Sequence, residues 1–230
     1  MEVWDVAALI LVYALIAVTI LICTLRIRKN SDADIRKPIH ILIGNFVFVW
    51  WLFSAGWIML AFFVVPFGML VMWMMIRKGG PAAIGKATSE GSNTGLLFYV
   101  ISIGILVALF FDHFVAASVG IAAMTYGDSM GSVIGKRFGK HKTFNQKSLE
   151  GSLAVFVFTA ISAFVVILFY MFIIDNGYYS NSTADAIIPV WAVCILSGAV
   201  ASVLEALSPG YLDNLIIPTV ISVMLCMLGM

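Results

Sequence analysis

Eight apolar runs divide this chain, with short polar stretches between them. They cover residues of about 4–25, 39–54, 57–76, 95–111, 114–135, 152–174, 187–204 and 214–230. A helix needs roughly 20 apolar residues to cross a bilayer. Judged against that length, the pattern predicts an all-α, polytopic membrane protein of about eight transmembrane helices, one domain over residues 1–230. The second and fourth runs are short. Ser54-Ala55-Gly56 follows one and Asp112-His113 the other. These breaks read as tight helical hairpins, or as the ends of helices that do not fully cross.

Composition agrees with lipid as the solvent. The chain has 230 residues, 62% of them hydrophobic and 11% charged, with a mean hydropathy of +1.07. A soluble domain is nearer half apolar and a quarter charged. So little polar surface does not cover a water-facing globule. The formal charge of +1 and the lack of a basic arm give no reason to expect nucleic acid. Cys23, Cys194 and Cys226 all lie in apolar runs and read as packing residues, without metal spacing or a disulfide framework. Glu2 and Asp5 open the chain where a cleaved leader would be basic, so the first run reads as a retained helix.

Charge placement orients the spans. With the N-terminus outside, the inner loops are about 26–38, 77–94, 136–151 and 205–213. All 13 Lys and Arg residues then fall on the inner side, and the outer loop 175–186 has none. That is the positive-inside bias, and it places both ends of the chain outside. The glycosylation sequon at Asn181 in that outer loop carries no functional weight.

The segment 126–152, YGDSMGSVIGKRFGKHKTFNQKSLEGS, concentrates the chemistry. Asp128 interrupts the inner half of the fifth span, where a carboxylate is expensive unless paired, hydrated or bound to metal. Gly127, Gly131, Gly135 and Gly139 recur every fourth position. On a helix they form one stripe, and ordinary close packing is the better reading of that stripe by itself. Asp128 and Ser132 lie one turn apart beside it. Lys136, Arg137, Lys140, His141, Lys142 and Lys147 form a basic loop, which alone reads as a topological anchor. Ser148, Glu150, Gly151 and Ser152 then open the next span, and a helix N-terminus favours anions. Together these are an acid, a small-residue helix, several cations and a second acid. A nucleoside di- or triphosphate with Mg²⁺ requires such a set. No Walker A pattern or protein-kinase glycine loop is present.

Two further polar clusters share the inner face. One is Arg36-Lys37-Pro38-Ile39-His40 with Gly44 and Asn45. The other runs from Glu205 to Asp213-Asn214, where Asp213 could be a simple helix cap. Seven acids fall on the inner side in this topology: Asp32, Asp34, Glu90, Asp128, Glu150, Glu205 and Asp213.

In this order the residues resemble the CTP-dependent lipid-alcohol kinases, the family of dolichol kinase, phytol kinase and CTP-dependent diacylglycerol kinase. The first piece is R-K-x-x-H-x-x-x-G at Arg36, Lys37, His40 and Gly44. A weaker piece is the stretch Gly95 to Ser102. The strongest is G-D-x-x-x-S-x-x-G-x-x-x-G-K-x-K, from Gly127 to Lys142, followed by K-S-x-E-G-S from Lys147 to Ser152. The last is Glu205, then Asp213-Asn214-Leu215 and Pro218. Gly131 stands where the family often carries Ala, an exchange of small residues that should not matter.

The resemblance implies transfer of the γ-phosphoryl of CTP, with Mg²⁺, to an isoprenoid alcohol (polyprenol, dolichol or phytol type) or a diacylglycerol-like lipid. Asp128, with Glu150 or Asp213, would hold the metal. Lys136, Arg137, Lys140, Lys142 and Lys147 would contact phosphate, with Ser132, Ser148 and Gly151 beside them. Asp213 or His40 would orient or deprotonate the alcohol. Arg36, Lys37, Glu205 and Asn214 complete the motifs. The short chain leans to a prokaryotic cell membrane, with the site facing the cytoplasm. Two other readings stand behind this one. A phosphatidate cytidylyltransferase-like CDP-lipid synthase also uses CTP, but its aspartate-rich ending is replaced here by DNLIIP. A transporter would gather polar residues at the midplane, often with internal repeats.

Overall fold

The computed structural model describes residues 1–30, 36–77, 93–143, 147–179, 184–208 and 212–230. All eight apolar runs are helical, and no strand occurs among the described residues. The protein is therefore an all-α membrane protein. Among the described residues, four helices are long and apolar enough to cross a bilayer: Val3–Lys29, Gly56–Trp73, Leu149–Asp175 and Val190–Leu207. Parts of the loops 26–38, 77–94, 136–151, 175–186 and 205–213 lie outside the described residues, Asn181 among them. The helices group into two compact units, Met1–Ala108 and Leu109–Met230.

The N-terminal unit starts with α1 (Val3–Lys29), whose basic last turn holds Arg26, Arg28 and Lys29. Helix α2 (Arg36–Gly44) gives way to two 3₁₀ turns, Asn45–Phe48 and Trp50–Leu52. Asn45 explains the change. Its side-chain amide donates to the carbonyls of Ile41 at 2.7 Å and Leu42 at 3.1 Å. A side chain on those carbonyls competes with the regular α-helical ladder. The second apolar run is thus helical, but only its residues 39–44 are α-helix. After a corner at Phe53–Ala55 the chain forms one rod from α3 (Gly56–Met59), a π-helical turn (Leu60–Val64) and α4 (Val65–Arg77). Helix α5 (Asn93–Leu109) completes the unit. Phe46, Trp50 and Phe63 fill its core, with Phe46 and Phe63 centroids 5.2 Å apart.

The C-terminal unit begins with a second rod: α6 (Phe114–Ala122), a π-helical turn (Ala123–Asp128) and α7 (Ser129–Phe138). Then come α8 (Leu149–Asp175), α9 (Val190–Leu207) and α10 (Asp213–Met227). Small residues set the helix spacing. A Cβ on Gly120 would strike the Pro218 carbonyl and the Ser222 hydroxyl, and one on Gly198 would come 2.6 Å from the Phe156 carbonyl. Helices in lipid gain little from hiding apolar surface, so close backbone approach must supply the attraction. Their outer faces remain apolar and exposed, as at Ile161, Phe164, Leu168 and Phe172 on α8. Trp57 and Trp191 are exposed at the first turns of α3 and α9, where amphipathic rings suit a membrane interface. Cys23 and Cys194 are buried free thiols, as their apolar setting implies.

Asp5 ties the N-terminal unit at the end opposite the basic residues. It is fully buried. Its carboxylate accepts the Glu2 N–H at 2.6 Å, the Ser54 N–H at 2.7 Å and the Ser54 hydroxyl at 2.9 Å. The acid thus joins the start of α1 to the corner before α3. Truncating one partner of a buried, charge-assisted bond leaves the other unsatisfied, at a cost of about 2–3 kcal/mol. Asp5→Ala is accordingly expected to lower the thermal unfolding midpoint in detergent, and Asp5→Asn to lower it less. An unchanged midpoint for Asp5→Ala would show that the clasp contributes nothing to stability.

Candidate active site

The glycine stripe sets the geometry of the C-terminal unit's polar end. A Cβ on Gly127 would run into the Thr159 hydroxyl, and one on Gly131 into the Val155 side chain. On Gly135 it would sit 3.1 Å from the Ser148 hydroxyl and 3.4 Å from the Gly151 Cα. Gly151 answers from α8, where a Cβ would sit 3.1 Å from the Gly131 carbonyl. The close-packing reading of the stripe therefore holds, and α7 lies directly on the start of α8. The exchange to Ala at Gly131 is not neutral in this chain, because Val155 and the Gly151 carbonyl occupy the space. Asp128 ends the π-helical turn and is buried at 4% exposure. That turn packs against α8, α9 and α10. Ser132 is half-buried one turn further on.

The basic loop folds back along itself. The Thr143 N–H donates to the Lys147 carbonyl at 2.8 Å, and the Leu149 N–H to the His141 carbonyl at 2.9 Å. Glu150 fastens this arrangement. It accepts the Lys140 N–H at 3.1 Å, the His141 N–H at 3.3 Å and a 2.7 Å contact from His141 Nδ1. Ser148 caps α8 by accepting the Gly151 N–H at 3.2 Å. The Leu149 and Gly151 N–H groups at this terminus are thus engaged within the protein. Lys136, Arg137, Lys140 and Lys142 are exposed, and the Arg137 guanidinium lies 5.3 Å from the centroid of the Phe138 ring.

Lys147 points elsewhere. Its Nζ lies 3.0 Å from Glu205 Oε1 and 3.4 Å from Asp213 Oδ2, and it also donates to the Glu205 carbonyl. The three side chains are only 19%, 11% and 10% exposed. Glu205 Oε2 accepts the Ser152 hydroxyl at 3.2 Å, and the Ser202 hydroxyl donates to the Ser152 carbonyl at 2.8 Å. Asp213 opens α10 and accepts the Asn214 N–H at 2.9 Å through Oδ1. This cluster joins α8, α9 and α10, and with them two motifs far apart in sequence. Glu150 turns to the loop backbone and His141, away from this pairing.

His40 belongs to the N-terminal unit. It is buried, stacks on Tyr99 with centroids 4.3 Å apart, and its carbonyl accepts the Tyr99 hydroxyl at 3.1 Å. Lys37 is half-buried on the same helix, and the side chain of Arg36 lies outside the described residues. Tyr99 and Ser202 were not singled out from sequence. Tyr99 stands within the Gly95 to Ser102 stretch, whereas nothing distinguishes Ser202 from other small residues of an apolar helix.

Among the described residues, no three His, Cys, Asp or Glu side chains group closely enough to cage a metal alone. Glu205 and Asp213 nevertheless converge on one cation, the Lys147 ammonium. One or two carboxylates completed by substrate phosphates are the usual protein share of a Mg²⁺ site, and this pair fits that share.

The close packing at the glycine seam leads to a test. Gly131→Ala alone is expected to cost about 1–3 kcal/mol through overpacking. Val155→Ala should recover part of that loss in the double variant, read as a coupling energy from thermal unfolding. A simply additive double variant would show that the two positions do not press on each other.

Comparison with known proteins agrees with the motif order. No family model matches the chain, and no solved structure matches it. The chain is 31% identical over 196 residues to a phytol kinase from Synechocystis, an alignment covering 82% of this chain and 76% of that one. It is 30% identical to a chloroplastic farnesol kinase from Arabidopsis thaliana, covering 80% of this chain and 61% of that one. It is 29% identical to the CTP-dependent diacylglycerol kinase 1 of Schizosaccharomyces pombe, covering 59% and 60%. The chain belongs to this family of membrane lipid-alcohol kinases.

Proposed function

We propose that this lipid-alcohol kinase transfers the γ-phosphoryl of CTP to the primary hydroxyl of an isoprenoid alcohol or a diacylglycerol-like lipid, at the cytoplasmic face of its membrane. The convergence of Glu205 and Asp213 on one cation position, on the same helix ends as the basic loop, carries the reading. Names of relatives support the substrate classes: phytol, farnesol and diacylglycerol, with CTP named for the last. Both units act as one kinase domain in this reading.

The alcohol oxygen attacks the γ-phosphorus, the bond to the β-phosphate oxygen breaks, and CDP leaves while the alcohol proton passes to a base. Such transfers depend on positioning and on neutralising charge. Magnesium, bound with the nucleotide, would offset the charge of the phosphates. Glu205 and Asp213 are the acids suited to hold it, with Asp128 a third acid in the same unit. Lys136, Arg137, Lys140 and Lys142 are exposed and suit triphosphate oxygens. Asp213, Asp128 and His40 are the candidates to accept the alcohol proton. The lipid chain remains in the bilayer while its hydroxyl meets the nucleotide at the interface.

Labelled CTP tests the reaction class. Purified protein with Mg²⁺ and a panel of phytol, farnesol, polyprenol and diacylglycerol is expected to put γ-phosphorus label into lipid and leave α-label in CDP. A lipid product carrying cytidine and the α-label would instead assign a CDP-lipid synthase.

Asp128→Asn removes one charge at constant shape. It is expected to lower turnover by ~100-fold or more, the scale for losing a charge that acts on the transition state, while the protein still elutes as a folded species in detergent. Near-normal turnover would remove Asp128 from the site, and aggregation would mark it as a structural group.

A further inference from the structure

Lys147 holds a position that a metal would need. It immediately precedes the Ser148 cap of α8, while Glu205 is in the last turns of α9 and Asp213 opens α10. Glu205 Oε1 at 3.0 Å and Asp213 Oδ2 at 3.4 Å both face its Nζ. Two carboxylates and one ammonium leave a net charge of −1 in a group mostly removed from water. A cation at this point has two anionic neighbours in a group mostly removed from water. The two facing oxygens, however, meet at one point, and the ammonium is already there. Other oxygens of the pair are engaged: Glu205 Oε2 with Ser152 and Asp213 Oδ1 with the Asn214 N–H.

We propose that Lys147 is a displaceable placeholder. It neutralises Glu205 and Asp213 in the resting enzyme and yields them to a divalent cation that arrives with the nucleotide. This inference rests on the metal–nucleotide reading above. Lysine suits the role, because its ammonium is a compact charge on a flexible four-carbon stem. Once displaced, it needs a new anion, and a phosphate oxygen of the incoming nucleotide supplies one. The exchange conserves charge pairing at every stage. Free metal alone must expel the ammonium into water, so it binds weakly. Metal with nucleotide gives the ammonium a partner, so the two bind as a unit. Lys147 thereby acts as a positioning residue whose two partners define two states of the site.

The wild-type protein provides the first test. An amine-acylating reagent is applied in detergent with and without MnCl₂, and modification of Lys147 is read by peptide mass spectrometry. Mn²⁺ alone at high concentration is expected to raise Lys147 modification severalfold, with Lys140 unchanged as an internal control. Adding a non-hydrolysable CTP analogue with Mn²⁺ should protect Lys147 again. Lys147 reactivity that ignores Mn²⁺ would overturn the exchange and leave a fixed structural tie.

Mn²⁺ affinity by electron paramagnetic resonance is the second test. Removing a unit charge at this distance is worth well over tenfold, so Lys147→Met should bind Mn²⁺ at least about tenfold more tightly than wild type. Lys147→Arg, which keeps the charge, should not. Equal affinity in Lys147→Met and wild type would also overturn the proposal. Should Lys147→Met fail to fold, the wild-type labelling decides. These readouts are independent of turnover. Failure of γ-label transfer with Mn²⁺-dependent Lys147 exposure intact would refute the kinase reaction and leave the exchange standing.

Discussion

The contact between the Asp128 rod and α8 is the constraint on which the polar end of this protein depends. Gly127, Gly131, Gly135 and Gly139 present bare backbone to Thr159, Val155, Gly151 and Ser148. In lipid, helices attract each other only as closely as their surfaces allow, and hydrogen-only side chains allow the most. The seam brings the last turn of the rod onto the first turn of α8. The chain between them then has little choice but to fold back, and Glu150 can reach the Lys140 and His141 amides. Sliding the seam by one turn would shift Asp128 relative to Lys147 and Glu150 at the start of α8.

A second principle governs the acids. Charged groups inside apolar helices persist where local partners satisfy them. Asp5 has three donors from two segments, Glu205 has Lys147 and Ser152, and Asp213 has Lys147 and the Asn214 amide. Asp5 is closed to further ligands by this saturation and is structural. Glu205 and Asp213 both face the ammonium of Lys147, a charge on a flexible four-carbon stem. The same chemical group is therefore held by backbone and hydroxyl donors in one unit and by a lysine ammonium in the other.

Hydropathy made the eight helical runs legible, since each apolar stretch of sufficient length had no alternative to a helix in lipid. The spacing of Gly127 to Gly139 likewise announced a packing stripe. What escaped was local winding and long-range pairing. Asn45 diverts the second run into 3₁₀ turns through bonds to two carbonyls, a choice that hydropathy does not encode. Neither π-helical turn has a compositional mark. Lys147 read as one more member of a basic loop, because its partners lie 58 and 66 residues away. Glu150, one of two acids offered as a partner to Asp128, has the Lys140 and His141 amides and the His141 ring as neighbours, contacts that the motif does not encode. Sequence order named candidate residues, and three-dimensional proximity pairs Lys147 with Glu205 and Asp213.

The Asp5 clasp also carries information about how the chain is assembled. Its acceptor lies in the first turn of α1, and its principal donor, Ser54, is 49 residues later. A ribosome that has just completed α1 has not yet made the residue that donates two of the three hydrogen bonds to its buried acid. The first helix therefore enters the bilayer with its carboxylate still dependent on water, and it is locked only when the corner before α3 arrives beside it. Closure of the N-terminal unit is in this sense a late event in biosynthesis, timed by the translation of residues 6 to 54.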